Sequence, residues 1–525
     1  MGFGKTTFIV KVLLQHYKEH GRKLLVLCNR KLLRQQYWYQ LVQEFDQYSE
    51  LKEVIDIRTY QELAEFIKQG GNLSTLFQDF YGICLDECHY FYSDSDFNGF
   101  GTYTLLQALI KAGMLTQMIF LSATLDCVKD LIEITLKRCT QYCKEKLWGY
   151  DYESFGQVIY YNLNVLADFS YLSCISVPDI ETLCKKISDS LGKSIIFIDN
   201  KQEAEKMAEL ICSCGRISTS EIKLLNSDNL ANQENDQTVQ MLALGNRLLP
   251  KILITTSVLD NGVSVHDPDV ENVVVLTESK TSFLQMVGRV RTESVKSLRI
   301  WFVLQSPEFY QKREQEYKRC LDFLEEKRKE NINKNRFQIL YAVWDGKDLE
   351  TAELCRKLFV ISPDILDFFE PPKNGLRFSY GDSRLSINHF AVRKIGDMYL
   401  MESRFRALVL RDPLGAVWEQ MSWLGKEKGE LQVLSSTYKE ERKKEFLNQL
   451  LQIQEYSVEQ LGEIKSRLAK EYRREFFPDI VAKNQSFSTD KLRQILRRIG
   501  MELDEIKKNG RKIYSVKKGE EDNAR

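Results

Sequence analysis

The sequence predicts an α/β protein built on parallel β-sheets, followed by a mainly helical region. Short apolar runs alternate with amphipathic segments over the first 300 residues, which is the pattern of repeated β-α units. After about residue 307 the sequence becomes charged and helix-favouring, as in Gln311–Glu330. A chain of 525 residues is too long for one hydrophobic core, so we expect two to four domains.

The predicted strands are apolar runs of four or five residues: Leu24–Cys28, Ile83–Asp86, Met118–Ser122, Ser194–Ile198, Ile252–Thr255, Val273–Thr277 and Ile300–Leu304. Predicted helices between them include Thr6–His20, Lys31–Phe45 and Lys201–Cys212. The stretch Cys143–Asp168 is rich in Tyr, Asn and Asp and separates two β-α series. We therefore predict a first domain over residues 1–150, a second over 151–306 and a helical accessory region over 307–483.

The composition is that of an ordinary globular protein, with 43% hydrophobic and 28% charged residues. Lys+Arg and Asp+Glu both number 74, so a nucleic-acid partner would need locally concentrated positive charge. The twelve cysteines contain no C-x-x-C pair, which argues against a zinc site. The sequence has no apolar run of membrane-spanning length and no signal peptide, so we expect a cytoplasmic protein.

The first residues match the end of a phosphate-binding loop. Glycines such as Gly2 and Gly4 let backbone N–H groups point at phosphates, and the following helix aims its N-terminus at the same anion. Lys5 is expected to hold the phosphates and Thr6, followed by Thr7, to bind Mg²⁺ through its hydroxyl. The loop's first glycine and its strand would precede Met1. A misassigned start, a fragment or a defective phosphate-binding site would each explain this.

A second motif, Tyr81–His89, is a short apolar strand that ends in two acids and a histidine. Its burial would fix Asp86 and Glu87 at the carboxyl edge of the sheet, where α/β proteins bind ligands. Asp86 is expected to hold Mg²⁺, and Glu87 to orient and deprotonate an attacking water. His89 has two interpretations, a relay of nucleotide state or simple packing.

These motifs resemble, in order over residues 1–306, those of superfamily 2 helicases of the DEAD/DEAH-like kind, with the variant D-E-C-H at Asp86–His89. The resemblance implies two tandem RecA-like motor domains that bind ATP and Mg²⁺. It also implies roles in coupling for Ser122 and Thr124. Segments around Arg30, Thr59 and Thr256 resemble motifs that contact the nucleic-acid backbone.

Two later segments complete the resemblance. Thr256–Ser264 looks like the family's motif V, with Gly262 in a coupling position, although Ser264 stands where many members have Asp. Gln285–Arg291 resembles motif VI, whose arginines reach the γ-phosphate from the second domain. Here the arginines are spaced R-x-R, so either Arg289 or Arg291 could be the one that reaches the γ-phosphate. The resemblance implies a catalytic role for Gln285 as well.

The end of the chain predicts a winged-helix nucleic-acid-binding segment over residues 484–518. A helix capped at Ser488–Asp490 would carry Arg497 and Arg498, and a hairpin around Asn509-Gly510 would carry Lys508 and Arg511. A basic helix and a basic wing are typical of groove and phosphate contacts. A small solvated helix and hairpin with surface lysines is the alternative.

The sequence therefore predicts an ATP-dependent nucleic-acid helicase or translocase, with DNA favoured over RNA by its C-terminal segment. Two alternatives remain open. The chain could be an RNA helicase, because the motor residues are the same. It could also be a nucleic-acid-binding scaffold with a defective motor, which would bind nucleic acid without hydrolysing ATP.

Overall fold

The computed structural model describes residues 5–45, 48–113, 116–146, 159, 168–214, 217–226, 237–245, 247–256, 265–290, 298–329, 348–361, 385–453, 455–470, 488–498, 501–508 and 510–518. The chain divides into two units. The first consists of Met1–Ser176 and Ile187–Gln432, and the second of Val177–Lys186 and Val433–Arg525.

The first sheet has four parallel strands in the described chain: β1 Leu24–Cys28, β2 Ile55–Thr59, β3 Gly82–Leu85 and β4 Gln117–Phe120, in the spatial order β2-β1-β3-β4. Every residue of β1 and β3 is buried, as expected for strands covered on both faces. Leu27 of β1 pairs with Leu85 of β3, so these two strands end at the same level.

The helices of this first lobe connect and cover the strands. They are α1 (residues 5–19, wound as a π-helix over Phe8–Leu13), α2 Lys31–Glu44, α3 Tyr48–Val54, α4 Tyr60–Lys68, α5 Leu73–Phe77, α6 Tyr90–Ser93, α7 (residues 100–112, π-helical over Phe100–Thr104) and α8 Asp126–Lys146. Helix α1 approaches β3 closely: a Cβ on Gly82 would collide with the Tyr17 side chain, so any larger residue there would displace that buried ring.

The second sheet contains seven described strands: β5 Leu172–Val177, β6 Lys193–Ile198, β7 Ile222–Leu225, β8 Ile252–Thr255, β9 Val270–Leu276, β10 Leu298–Val303 and the short β13 Leu431–Val433. Their order is β13-β5-β10-β9-β6-β8-β7. The pairings of β7 with β8, β8 with β6, β6 with β9 and β9 with β10 are parallel. The accompanying helices are α9 Ile180–Asp189, α10 Lys201–Ser213, α11 Gln237–Gly245 and α12 Lys280–Val287. We call the second sheet with α10, α11 and α12 the second lobe.

A helical region follows the second lobe within the same unit. It consists of α13 Pro307–Lys329, α14 Leu349–Leu358, α15 His389–Arg411 and α16 Gly415–Trp423, with a two-stranded antiparallel pair, β11 Phe359–Ile361 and β12 Leu385–Ile387. Val360 and Phe390 pack into the core of the first lobe, whereas Val417 and Met421 pack into that of the second. The helical region therefore contacts both lobes.

The second unit has its own hydrophobic core. Helices α17 Tyr438–Leu451, α18 Val458–Lys470 and α19 Thr489–Arg498 surround three described strands, β14 Tyr456–Ser457, β15 Met501–Lys508 and β16 Arg511–Lys518, in the order β14-β16-β15. Core residues include Phe446, Leu461, Leu496 and Tyr514, so the last segment packs against helices nearly 70 residues earlier. Gly510 turns the hairpin with a φ of 75°.

The α/β class with two largely parallel sheets, expected for RecA-like domains, is confirmed, and so is a helical region after them. Within the two sheets the sequence interpretation missed β2, β5, β7 and the short β13. The apolar runs of the first three are interrupted by polar residues such as Arg58, Ser173 and Lys223. Its domain limits stay predictions. In the part of the chain that the structure describes, no helix has both the length and the apolar character to cross a membrane.

Candidate active site

Two carboxylates lie at the carboxyl edge of the first sheet, immediately after β3. Asp86 and Glu87 are each 2% exposed, because the end of β3 is covered on both faces. Glu87 adopts a φ of 51°, a left-handed conformation that non-glycine residues rarely take. Strained backbone of this kind persists where the surrounding structure enforces it, which is most often at functional sites.

Three basic side chains surround the Glu87 carboxylate. Lys5 Nζ lies 2.6 Å from Oε2, His89 Nδ1 lies 3.3 Å from Oε2, and Arg289 Nη2 donates to Oε1 at 3.2 Å. Burial alone would raise the pKa of this carboxyl, but Lys5, His89 and Arg289 together hold it well below its usual range. Glu87 is therefore ionised. We call Lys5, Asp86, Glu87, His89 and Arg289 the Glu87 cluster.

Asp86 has a different environment from its neighbour. Its Oδ2 accepts a hydrogen bond from the Tyr37 hydroxyl at 2.6 Å, and its main-chain oxygen accepts one from the Tyr60 hydroxyl at 2.9 Å. Its Oδ1 is buried, accepts no hydrogen bond from the described chain and lies 3.9 Å from Lys5 Nζ. Burial raises the pKa of Asp86, and the charge of Lys5 opposes that rise. The sequence interpretation missed both tyrosines, because a tyrosine inside a helix is usually a core residue.

The second lobe contributes Gln285 and Arg289, from α12 and the turn that follows it. Gln285 Nε2 donates to Thr124 Oγ1 at 2.8 Å, across the cleft between the lobes. The Thr124 amide donates in turn to Ser122 Oγ, which lies 3.3 Å from His89 Nδ1. A continuous set of polar contacts therefore joins Gln285 to the Glu87 cluster.

Other predicted site residues are not part of the Glu87 cluster. Thr6 and Thr7 lie in the first turn of α1, Thr6 half-buried and Thr7 exposed. Gly2, Gly4, Gly262 and Arg291 lie outside the described residues, and so does the side chain of Arg498. The structure thus brings together Lys5, Asp86, Glu87, His89 and Arg289 from three separate sequence motifs.

The residues of the first two predicted domains that are expected to contact nucleic acid lie buried or engaged within the protein. Arg30 Nη1 donates to Asp94 Oδ2 at 2.9 Å. Thr59 is 2% exposed and caps α4 by accepting a hydrogen bond from the Glu62 amide. Thr256 is buried at the end of β8. Phosphate contacts by these three residues stay predictions, and Thr59 already has a structural role as a helix cap.

The predicted contacts in the second unit lie on its surface. Arg497 and Arg511 are exposed and form no ion pair with described residues. Lys508 Nζ is 3.0 Å from Glu455 Oε1. Two further lysines of β16 pair with acids of β15: Lys512 with Glu505, and Lys517 with Asp504. Lys512 and Lys517 are therefore paired across the hairpin, and Lys508 pairs with Glu455 outside it.

The donors around Asp86 fit a magnesium ion that also binds phosphates. Magnesium usually keeps several waters and takes only one or two protein carboxylates, the rest of its shell coming from substrate phosphates. A buried carboxylate oxygen without a hydrogen bond, beside the lysine of the predicted phosphate loop, meets that requirement. Among the described residues no group of three or more His, Cys, Asp or Glu side chains forms a metal site by itself.

No family model and no curated protein sequence matches the chain. Among solved structures, Dbp5 of S. cerevisiae bound to RNA and ADP BeF3 is 20% identical, with a TM-score of 0.39, covering 57% of this chain and 77% of that one. The helicase Lhr of Mycobacterium smegmatis bound to ssDNA and AMP-PNP is 15% identical, with a TM-score of 0.37, covering 57% and 42%.

Proposed function

We propose that this protein is an ATP-dependent helicase or translocase that moves on nucleic acid and hydrolyses ATP in the cleft between its two lobes. One observation carries the proposal. The buried Glu87 carboxylate is contacted both by Lys5, from the start of α1, and by Arg289, from the second lobe. The two cations come from different lobes and meet in the cleft, where the phosphates of a bound ATP would need them as counterions.

The triphosphate of ATP would replace Glu87 as the counterion of both cations. Lys5 lies at the N-terminal end of α1, where unpaired N–H groups and the helix dipole favour an anion. The phosphates would draw Lys5 and Arg289 away from Glu87. Thr6 and Asp86 would hold Mg²⁺, which neutralises phosphate charge when bound.

Glu87 would act as the general base toward the attacking water. With Lys5 and Arg289 beside it, its pKa is held well below the usual range, so it is a weak base. Once Lys5 and Arg289 bind phosphate, the charges that lower this pKa are withdrawn and the carboxylate becomes more basic. Its catalytic strength would therefore depend on bound nucleotide.

Arg289 would stabilise the charge that builds on the transferred phosphoryl group, since it reaches the cluster from the second lobe. Gln285, which bridges to Thr124, would help align the two lobes. The contacts from Thr124 through Ser122 to His89 would couple lobe closure to the state of the nucleotide. Hydrolysis would then occur only in the closed arrangement.

Nucleic acid would be the track of this motor, and DNA is favoured over RNA. The reason is the second unit, where a helix followed by a hairpin carries Arg497 and Arg511 on its surface. Backbone contacts would hold the polymer without reading bases. An RNA track and a scaffold that binds without hydrolysis are the alternatives.

The test is ATP hydrolysis by the full chain with no polymer, single-stranded DNA, duplex DNA or RNA. We expect one DNA form to stimulate hydrolysis, and Glu87→Gln to bind ATP with turnover reduced at least about 100-fold. Stimulation by RNA alone would replace DNA as the track. Nucleic-acid binding without hydrolysis under any condition would favour the scaffold.

A further inference from the structure

Tyr37 places a hydroxyl against the carboxylate of Asp86 from inside the core of the first lobe. It lies on α2, the helix that follows β1, and its side chain is fully buried. Its hydroxyl donates to Asp86 Oδ2 at 2.6 Å. Because β1 and β3 end at the same level, the helix after one strand reaches the acid after the other.

This hydrogen bond gives the two carboxylate oxygens of Asp86 different surroundings. Oδ2 points back to Tyr37, whereas Oδ1 accepts no hydrogen bond from the described chain and lies on the side of Lys5. The terminal torsion of an aspartate is broad and is not fixed by its own rotamer preference. A donor on one oxygen therefore determines where the other oxygen points.

A second tyrosine holds the backbone of the same residue. Tyr60, on α4, donates its hydroxyl to the main-chain oxygen of Asp86 at 2.9 Å and stacks on Tyr90 with ring centroids 4.9 Å apart. It too is fully buried. Tyr60 thus matches Tyr37 in chemistry, burial and proximity to Asp86, but it does not touch the carboxylate.

Packing accounts for the ring of Tyr37 but not for its hydroxyl. The ring belongs to an apolar cluster with Ile9, Leu24, Leu33 and Leu41, where phenylalanine would fill nearly the same space. A buried hydroxyl requires a hydrogen-bond partner, and the partner here is the carboxylate that the proposed function assigns to magnesium. Groups of this kind orient metal-binding carboxylates in many proteins.

We infer that Tyr37 is a positioning residue for the magnesium–nucleotide complex. By holding Oδ2, it leaves Asp86 Oδ1 on the side of Lys5, where this oxygen would serve the magnesium ion. This inference rests on the proposed function, because it takes Asp86 as the carboxylate that serves Mg²⁺. Tyr37 itself touches neither nucleotide nor metal.

The test is the magnesium dependence of nucleotide binding, followed with a fluorescent, non-hydrolysable ATP analogue. The wild type, Tyr37→Phe and Tyr60→Phe are titrated with MgCl₂ at fixed nucleotide, and each is also measured in EDTA. We expect Tyr37→Phe to need about tenfold more Mg²⁺ for half-maximal binding, with unchanged affinity in EDTA. Tyr60→Phe should keep the wild-type midpoint, although both variants lose thermal stability.

A double variant tests whether Tyr37 acts through Asp86. Asp86→Asn removes the charge that serves the metal, so adding Tyr37→Phe to it should not shift the magnesium midpoint further. Circular dichroism and melting temperature show whether each variant is folded. If Tyr37→Phe does not fold, the fluorescence titration is repeated with Tyr37→Met, for which the same shift is expected.

The outcomes separate this inference from the proposed function. Equal midpoints for the wild type and Tyr37→Phe, or an equal shift in Tyr60→Phe, would overturn the role of Tyr37 while nucleotide binding stands. A further shift in the double variant would overturn it as well. A wild type that binds no nucleotide, with or without Mg²⁺, would contradict both the proposed function and this inference.

Discussion

At the scale of single residues, Lys5 has the largest electrostatic effect among the cations around Glu87. Lys5→Ala should weaken ATP binding about 10- to 100-fold, because a charge-assisted contact with phosphate contributes about 1.5–3 kcal/mol. Equilibrium titration with a fluorescent nucleotide would measure this. Lys11→Ala is the control, since Lys11 lies on the same helix and pairs with Glu44 at the surface. Unchanged binding in Lys5→Ala would refute the assignment of the phosphate loop.

A second residue-scale prediction concerns Glu402 in the helical region. Burial and the nearby charge of Glu278 raise the pKa of Glu402 to about 8, against the attraction of Arg313, which donates to it at 2.8 Å. In the unfolded chain a glutamate titrates near about 4.3. Between these two pKa values the folded state keeps a proton that the unfolded chain has lost. The stabilisation from this proton is lost as pH rises toward 8.

Glu402→Gln should make the stability of the protein less dependent on pH. Relative to the variant, the melting temperature of the wild type should fall as pH increases from 5 to 8. Differential scanning fluorimetry across that range measures the difference between the two proteins. Glu314→Gln is a suitable control, since Glu314 pairs with Arg406 on the same two helices. A difference in melting temperature that does not change with pH would contradict the assignment.

At the scale of elements, α15 is held to the first lobe at its N-terminal end. Asn388 caps this helix by accepting from the Ala391 amide, and it donates to the main-chain oxygen of Ser95 at 2.7 Å. Further along the helix, Lys394 Nζ lies 2.7 Å from Asp96 Oδ1 and Asp397 accepts from the Tyr92 hydroxyl. One helix therefore contacts the segment that follows Asp86 and Glu87.

Asn388→Ala should destabilise the first unit by about 2–4 kcal/mol, because it removes a cap worth about 1 kcal/mol and leaves a buried carbonyl unpaired. Asn388→Asp keeps the cap but cannot donate to Ser95. It should therefore recover only the cap's contribution of about 1 kcal/mol to the free energy of unfolding. Asn200→Ala, at the exposed cap of α10, should cost about 1 kcal/mol. Chemical denaturation of the three variants measures these differences. Equal losses for Asn388→Ala and Asn200→Ala would show that the Ser95 contact contributes nothing.

At the scale of the whole molecule, the predicted nucleic-acid contacts of the second unit lie in a segment that also forms the core of that unit. Removing residues 484–525 would take Leu492, Leu496 and Tyr514 out of a shared core, so loss of binding would not identify a contact. Single charge substitutions avoid this. Exposed ion pairs such as Lys517 with Asp504 contribute little to stability, so their removal leaves the fold intact.

Arg511→Ala should lower the slope of log affinity against log salt by about 0.9 for duplex DNA, since one phosphate contact is lost. Arg497→Ala should act similarly if the helix lies along the same backbone. Lys517→Ala serves as the control, because that lysine already has a carboxylate partner. Fluorescence anisotropy over a range of salt concentrations measures the slopes. Slopes equal to the wild type in both arginine variants would remove the second unit from the nucleic-acid contact.

Some features of this protein could be predicted from the sequence because they are local. The apolar runs of β1, β3, β6 and β8 determine their own burial, and Asp86 and Glu87 follow one of them directly. The α/β class, the terminal helix and the terminal hairpin follow from patterns within a few residues. Such patterns specify what each segment is, through hydrophobic periodicity and turn residues.

Only the tertiary structure decided which distant side chains meet. Nothing in the sequence around Tyr37 indicates a bond to Asp86, and nothing around Arg289 indicates which carboxylate it contacts. Likewise Arg30 and Thr59 are engaged by Asp94 and Glu62, which their motifs do not reveal. The physical reason is that such contacts depend on strand order and register, which place Glu87 and Arg289, 202 positions apart, within hydrogen-bond distance.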